Sequence, residues 1–163
     1  MEIRPFSSVR ILYGERLGRP DRGFTLLELL ITLALVSIVA AIGIPVYTKF
    51  IQKARESSAV TYISKARKAQ SVFRTGAQDN YSGDFEELET TGIIPPGAGS
   101  PSRVVQDYSF DLTAGMNASG EPYWNMTAAP TSAYKPSRWF YVDDTGVIRF
   151  EVDTAASAAS PPL

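Results

Sequence analysis

Hydrophobic and polar positions are segregated along this chain rather than mixed evenly. From Leu29 to Thr48 run 20 residues without a charge, LLITLALVSIVAAIGIPVYT, bounded by Glu28 and Lys49. At ~1.5 Å per residue a helix of that length spans ~30 Å, the thickness of a bilayer's hydrocarbon core, so residues 24–48 are expected to form a membrane span. Beyond it, apolar and small residues recur at Tyr47, Ile51, Ala54, Ser58, Tyr62, Ala66, Ala69 and Phe73, steps of three and four that draw one stripe along a helix. Lys49, Lys53, Arg55, Lys65, Arg67, Lys68 and Arg74 fall on its other faces. A single helix is therefore predicted from about Phe24 to about Phe73, apolar all round in its first half and amphipathic over residues 49–75. Pro45 removes the hydrogen bond to the carbonyl of Ala41, and Gly43 stands beside it, so a kink or local melting is expected there.

After Gly76 the pattern shortens. Asp84-Phe85-Glu86-Glu87-Leu88 reads as a short helix stopped by Gly92 and Pro95-Pro96, followed by a loop from Gly97 to Ser102. Alternation appears at Tyr108, Phe110 and Leu112, at Trp124, Met126 and Ala128, and at Trp139 and Tyr141, with turn residues at Asn117–Gly120 and Asp143–Gly146. Four antiparallel strands are predicted near 106–113, 122–128, 138–142 and 147–152, the last two as a hairpin. The Ala/Ser/Pro-rich tail at 154–163 is expected to be disordered. The fold class is α+β, a long N-terminal helix packed on a small antiparallel sheet that forms a head over residues 76–153.

Composition narrows the chemistry. Of the 163 residues 44% are apolar and 20% charged, which excludes a disordered polymer. Cysteine and histidine are both absent, so disulfides, thiolate or imidazole metal sites, Ser–His–Asp triads and Cys–His dyads are excluded together. No enzyme, cofactor or metal site is expected. The acidic run Asp143-Asp144-Thr145-Gly146 offers oxygens to a Ca²⁺ ion, but a hairpin turn is the commoner use of such a run. The net charge of −1 hides a division: Lys49–Arg74 holds seven basic residues and one acid, whereas Thr75 onward holds four basic residues and twelve acids. Copies stacked with an acidic head against a basic helix would attract one another. The acidic head argues against direct nucleic-acid binding.

The most informative stretch is Arg22-Gly23-Phe24-Thr25-Leu26-Leu27-Glu28-Leu29-Leu30. This GFTLLELL run, leading into an apolar segment that ends Gly-Ile-Pro-Val-Tyr, resembles the type IV prepilins and the related pseudopilins. The resemblance is strong from Gly23 to about Phe50, moderate over the amphipathic helix, and one of architecture alone in the head. It implies that residues 1–23 are a leader removed by a membrane-embedded prepilin peptidase, which cuts between Gly23 and Phe24 and N-methylates Phe24. It also implies self-assembly into a helical homopolymer through the N-terminal helix. An inner-membrane assembly platform and its ATPase would be partners, since this chain has no phosphate-binding loop of its own. The precursor would sit in the inner membrane with its N-terminus in the cytoplasm, a direction favoured by Arg4, Arg10, Arg16, Arg19 and Arg22, and the filament would be extracellular.

Elementary chemistry agrees with that picture. Gly23 lets a peptidase close on the backbone. Cleavage creates an α-amine at Phe24, and Glu28, four residues on, would share its helix face. A carboxylate in hydrocarbon costs several kcal/mol unless paired, and the amine of the same or a neighbouring chain is its natural partner. The function expected is that of a pilus subunit serving adhesion, motility or uptake. The alternatives are a pseudopilin of a type II secretion piston and a membrane-tethered periplasmic binding domain. Ala41-Ile42-Gly43 would suit a secretory signal peptidase, but the length of the apolar run and the presence of Glu28 do not.

Overall fold

A computed structural model describes residues 23–76, 79–97, 102–131 and 138–163. The leader up to Arg22, and residues 98–101 of the loop expected after Gly97, lie outside the described residues. The chain divides into two compact units, with the division after Ala41. Helix α1 is assigned over Leu26–Gly76 and continues through Gly43 and Pro45.

The unit Ile42–Leu163 contains helix α2 (Phe85–Glu89) and strands β1 (Ser102–Val105), β2 (Tyr108–Met116), β3 (Pro122–Pro130), β4 (Arg138–Asp143) and β5 (Arg149–Val152). The strands form one antiparallel sheet in sequence order. Period-two alternation decides which face is buried. Tyr108, Phe110 and Leu112 of β2, Trp124, Met126 and Ala128 of β3, and Phe140 and Val142 of β4 point to one face, because the register sets Phe110 opposite Ala128 and Ala128 opposite Phe140. Onto it packs the α1 stripe of Ala59, Tyr62, Ile63, Ala66, Ala69 and Gln70. Tyr62 lies 4.5 Å from Phe110 and 6.2 Å from Phe85 between ring centroids. The expected stripe thus holds from Ser58 onward, whereas Tyr47 remains exposed.

Three expectations are corrected. The sheet has five strands rather than four: β1 takes Ser102, the last residue of the expected loop, and residues 103–105, which lie between that loop and the first expected strand. In β4 the alternating pair Trp139 and Tyr141 stands on the outer face, and Phe140 and Val142 fill the core. The tail is ordered against the sheet: the Phe150 amide donates to the Pro161 carbonyl (3.0 Å), the Leu163 amide to Ile148 (2.9 Å), and the Arg149 guanidinium to Ser160 (3.1 Å). Ala156 and Ser160 are buried. The tail was expected to be disordered from its composition, but its backbone finds the unpaired edge of β5, which small and proline residues can follow closely.

Polar residues lock the joints. Gln70 is buried and clamps Ser82 from both sides of its amide, accepting from the Ser82 amide at 3.0 Å and donating to its carbonyl at 2.5 Å. Asp84 caps α2 by accepting from the Glu86 amide at 2.7 Å, and Gly92, at φ +70°, closes the turn that follows. Arg103 of β1 is buried, with its guanidinium 2.5 Å from Glu89, 3.1 Å from the Gly97 carbonyl and 3.4 Å from both the Pro95 carbonyl and the Tyr62 hydroxyl. Burial alone would push its pKa down, but the Glu89 and Tyr62 bonds outweigh that and hold it above its ordinary value.

Candidate functional site

The candidate site is the stretch from Gly23 to Glu28 and the apolar helix surface that follows it. Gly23 to Thr25 are non-helical, and α1 begins only at Leu26. Thr25 is the reason. Its Oγ1 accepts from the Glu28 amide at 3.1 Å and its carbonyl from the Leu29 amide at 3.2 Å, the two bonds of an N-cap. With Glu28 three residues after the cap, Thr25-Leu26-Leu27-Glu28 has the T-x-x-E spacing of a capping box. That spacing is the sequence signal for the cap, and it overlaps the Gly-Phe register.

The consequence concerns Phe24 and Glu28. Helical spacing would put them on one face, but Phe24 precedes the cap and is not helical. Glu28 instead stands in the first turn of α1, where a carboxylate opposes the positive end of the helix dipole. Among the described residues, nothing lies within 4 Å of where a β-carbon on Gly23 would stand. No contact with a described residue calls for glycine at this position.

From Phe24 to Ala41 the described side chains of the first unit are exposed apart from Ala40, which is partly covered. They include Leu26, Leu27, Leu29, Leu30, Ile31 and Leu33. α1 is long and apolar enough to cross a membrane. Within the apolar run the threonine and serine hydroxyls are satisfied by the helix itself: Thr32 donates to the Leu29 carbonyl at 2.8 Å, Ser37 to Leu33 at 2.6 Å and Thr48 to Pro45 at 3.0 Å. A span in hydrocarbon needs that internal satisfaction, because no water is present to supply it.

The basic half of α1 divides in two. Arg55 pairs with Asp107 at 3.0 Å, Arg74 with Asp79 at 3.0 Å, and Arg67 donates to the Gly146 carbonyl at 2.8 Å, so these three arginines serve the unit's own fold. Lys49, Lys53, Lys65 and Lys68 are exposed, and no ion pair joins them to a described residue. The Asp143–Gly146 run is a hairpin turn. Asp143 Oδ1 accepts from the Thr145 amide at 3.1 Å, the Asp143 carbonyl accepts from the Gly146 amide at 2.9 Å, and Gly146 takes φ +75°. Among the described residues no group of three or more acidic side chains is gathered to hold an ion.

The family described as a prokaryotic N-terminal methylation motif matches residues 18–44. The type IV major pilin protein PilA of Myxococcus xanthus is 38% identical across 80% of this chain and 76% of its own length. The type IV major pilin protein PilE1 of Neisseria gonorrhoeae is 28% identical across 61% of this chain and 55% of its own. The type IV wide pilus major component PilA4 of Thermus thermophilus is 26% identical across 72% of this chain and 88% of its own. No solved structure matches significantly.

Proposed function

The chain belongs to the type IV pilin family, and from that premise we propose that it is a structural subunit of a type IV pilus, stored in a membrane as a precursor and built into an extracellular filament after processing. The relatives are named as pilus components, so the secretion-piston reading is not favoured. The role is structural rather than catalytic.

One observation carries the reading: Gly23 and Phe24 stand directly ahead of a capped helix whose apolar surface is uncovered. A peptidase that cuts between Gly23 and Phe24 accounts for the glycine. Burial against other copies accounts for the helix surface. Each large apolar side chain moved out of water contributes ~1.5–3 kcal/mol, which a bilayer already supplies before assembly. Extraction therefore needs work from outside, the part assigned to an assembly platform and its ATPase.

Cleavage leaves the Phe24 amine, open to N-methylation, beside the positive end of the α1 dipole, where a cation is unfavourable. Glu28 supplies the opposing charge, to the amine of its own chain or of a neighbour. Pro45 and Gly43 give α1 a place to bend as it passes from bilayer to bundle. Adhesion, motility and uptake are the uses open to such a filament.

The test is assembly by Glu28 variants. Glu28→Ala and Glu28→Gln should both be cleaved, because the Gly23–Phe24 bond is untouched, and both should lose filaments, because the amine enters an apolar bundle uncompensated. Glutamine keeps size and hydrogen bonding while deleting the charge, so an equal defect assigns the effect to electrostatics. Filaments at wild-type levels from both variants would overturn the pairing.

A further inference from the structure

We propose that Lys49 and Lys53, on the open face of α1, dock against the Asp143–Asp144 turn of a second copy of this chain. The inference rests on the filament reading and names one contact within it.

Rotation by 100° per residue places Lys53 almost directly opposite Tyr62, Ala66 and Ala69, the residues buried against the sheet, and Lys49 and Lys68 within roughly 60° of that direction, whereas Lys65, four residues before Ala69, flanks the buried stripe. The arginines of the same segment are taken up by Asp107, Asp79 and the Gly146 carbonyl. Lys49 and Lys53, one turn apart on the open side, are left as a basic face with no ion pair to a described residue. Such faces repel when identical copies bring them together, so in a polymer of this chain each needs acid from elsewhere.

The acid is available at the far end of the same unit. The Arg67 bond to Gly146 holds the β4–β5 turn level with Arg67 on α1. Lys53 and Lys49 lie 14 and 18 residues earlier. At ~1.5 Å per residue this is an axial offset of roughly 21–27 Å, beyond the combined reach of a lysine and an aspartate. Within one chain these charges cannot meet. Between two copies displaced along the helix direction they can, and no other element need move. Asp143 spends one carboxylate oxygen on the Thr145 amide, which fixes the turn, while Asp144 has no ion pair with any described residue.

The primary test is zero-length carbodiimide cross-linking of sheared wild-type filaments, followed by peptide mass spectrometry. Peptides joining Lys49 or Lys53 to Asp143 or Asp144 are expected, and the axial offset makes any such link intermolecular. Intact filaments without them overturn this contact and leave the filament reading standing. A wild-type chain that is processed yet never forms filaments overturns both.

A charge reversal supplies the genetic arm. Lys49→Glu with Lys53→Glu should be processed and held in the membrane but yield no filaments. Adding Asp143→Asn and Asp144→Lys should restore them, since asparagine keeps the side-chain oxygen that the Thr145 amide needs while the turn reverses sign. Loss that persists in the fourfold variant means the lysines serve another surface, such as anionic lipid, and overturns the proposal. Filaments that tolerate the first pair overturn it as well.

Discussion

Glu89→Gln should destabilise the Ile42–Leu163 unit more than Arg103→Met does, although arginine is the larger and more buried partner. The Arg103 side chain is 3% exposed and that of Glu89 20%. Around the guanidinium stand one carboxylate, the neutral oxygens of Gly97, Pro95 and Tyr62, and the Phe85 ring 5.0 Å from its carbon. Removing one charge of a buried pair costs ~3–5 kcal/mol, because the other is left uncompensated. Glutamine still offers an oxygen, which places Glu89→Gln near the bottom of that range, at about 3 kcal/mol. Arg103→Met removes the cation and its demand together and keeps apolar bulk on Phe85. Glu89 can then turn to water while still accepting from the Gly97 amide at 3.0 Å, so the cost should be about 1 kcal/mol. Urea unfolding of a fragment beginning at Pro45 measures both, together with the double variant, which should be no less stable than Arg103→Met alone. A Glu89→Gln value within about 0.5 kcal/mol of wild type, or a methionine variant worse than the glutamine one, would refute the reasoning.

Two further predictions concern the same unit. Burial pushes the Tyr108 hydroxyl up to about 12, with Glu56 adding to the shift, and the hydroxyl donates to the Arg138 carbonyl at 2.9 Å. Between pH 10 and about 12 the folded state therefore keeps a proton that the unfolded state has lost. Stability should be unaffected by this group below pH 10 and should fall by about 2–3 kcal/mol as pH rises through the window. Tyr108→Phe should flatten that fall in thermal melts, and an equally steep fall in the variant would refute the assignment. Trimming the chain after Asp153 removes the bonds from Pro161, Leu163 and Ser160 to β5 and its approach, so the melting temperature should drop, corresponding to about 1–3 kcal/mol. An unchanged melting temperature would show that the tail contributes nothing.

How legible the fold was varied with the strength of the local pattern. The α1 stripe, the α2 cap at Asp84 and the turns at Asn117–Gly120 and Asp143–Gly146 could be read because spacing and turn chemistry agree there. β1 could not, because its one buried position in four is an arginine, and a charge at a core position breaks alternation. Only the tertiary partner Glu89 explains it. The β4 phase was not legible, because Trp139, Phe140 and Tyr141 are all large and size cannot choose a face, whereas the register with Met126 and Ala128 does. The tail was misread because composition reports backbone freedom but not the presence of an open strand edge. At the candidate site the Gly23–Phe24 and Glu28 register was plain, and the Thr25 cap was hidden in the same few letters.

The central claim is that the fold ends in a processed helix that enters a filament. The direct measurement is the intact mass and N-terminal sequence of the chain in sheared surface filaments. The account predicts a chain that begins at Phe24, carries one methyl group on its amine and retains nothing of residues 1–23. Filaments whose subunits keep Gly23, or a mature chain that begins near Ile44, would contradict it.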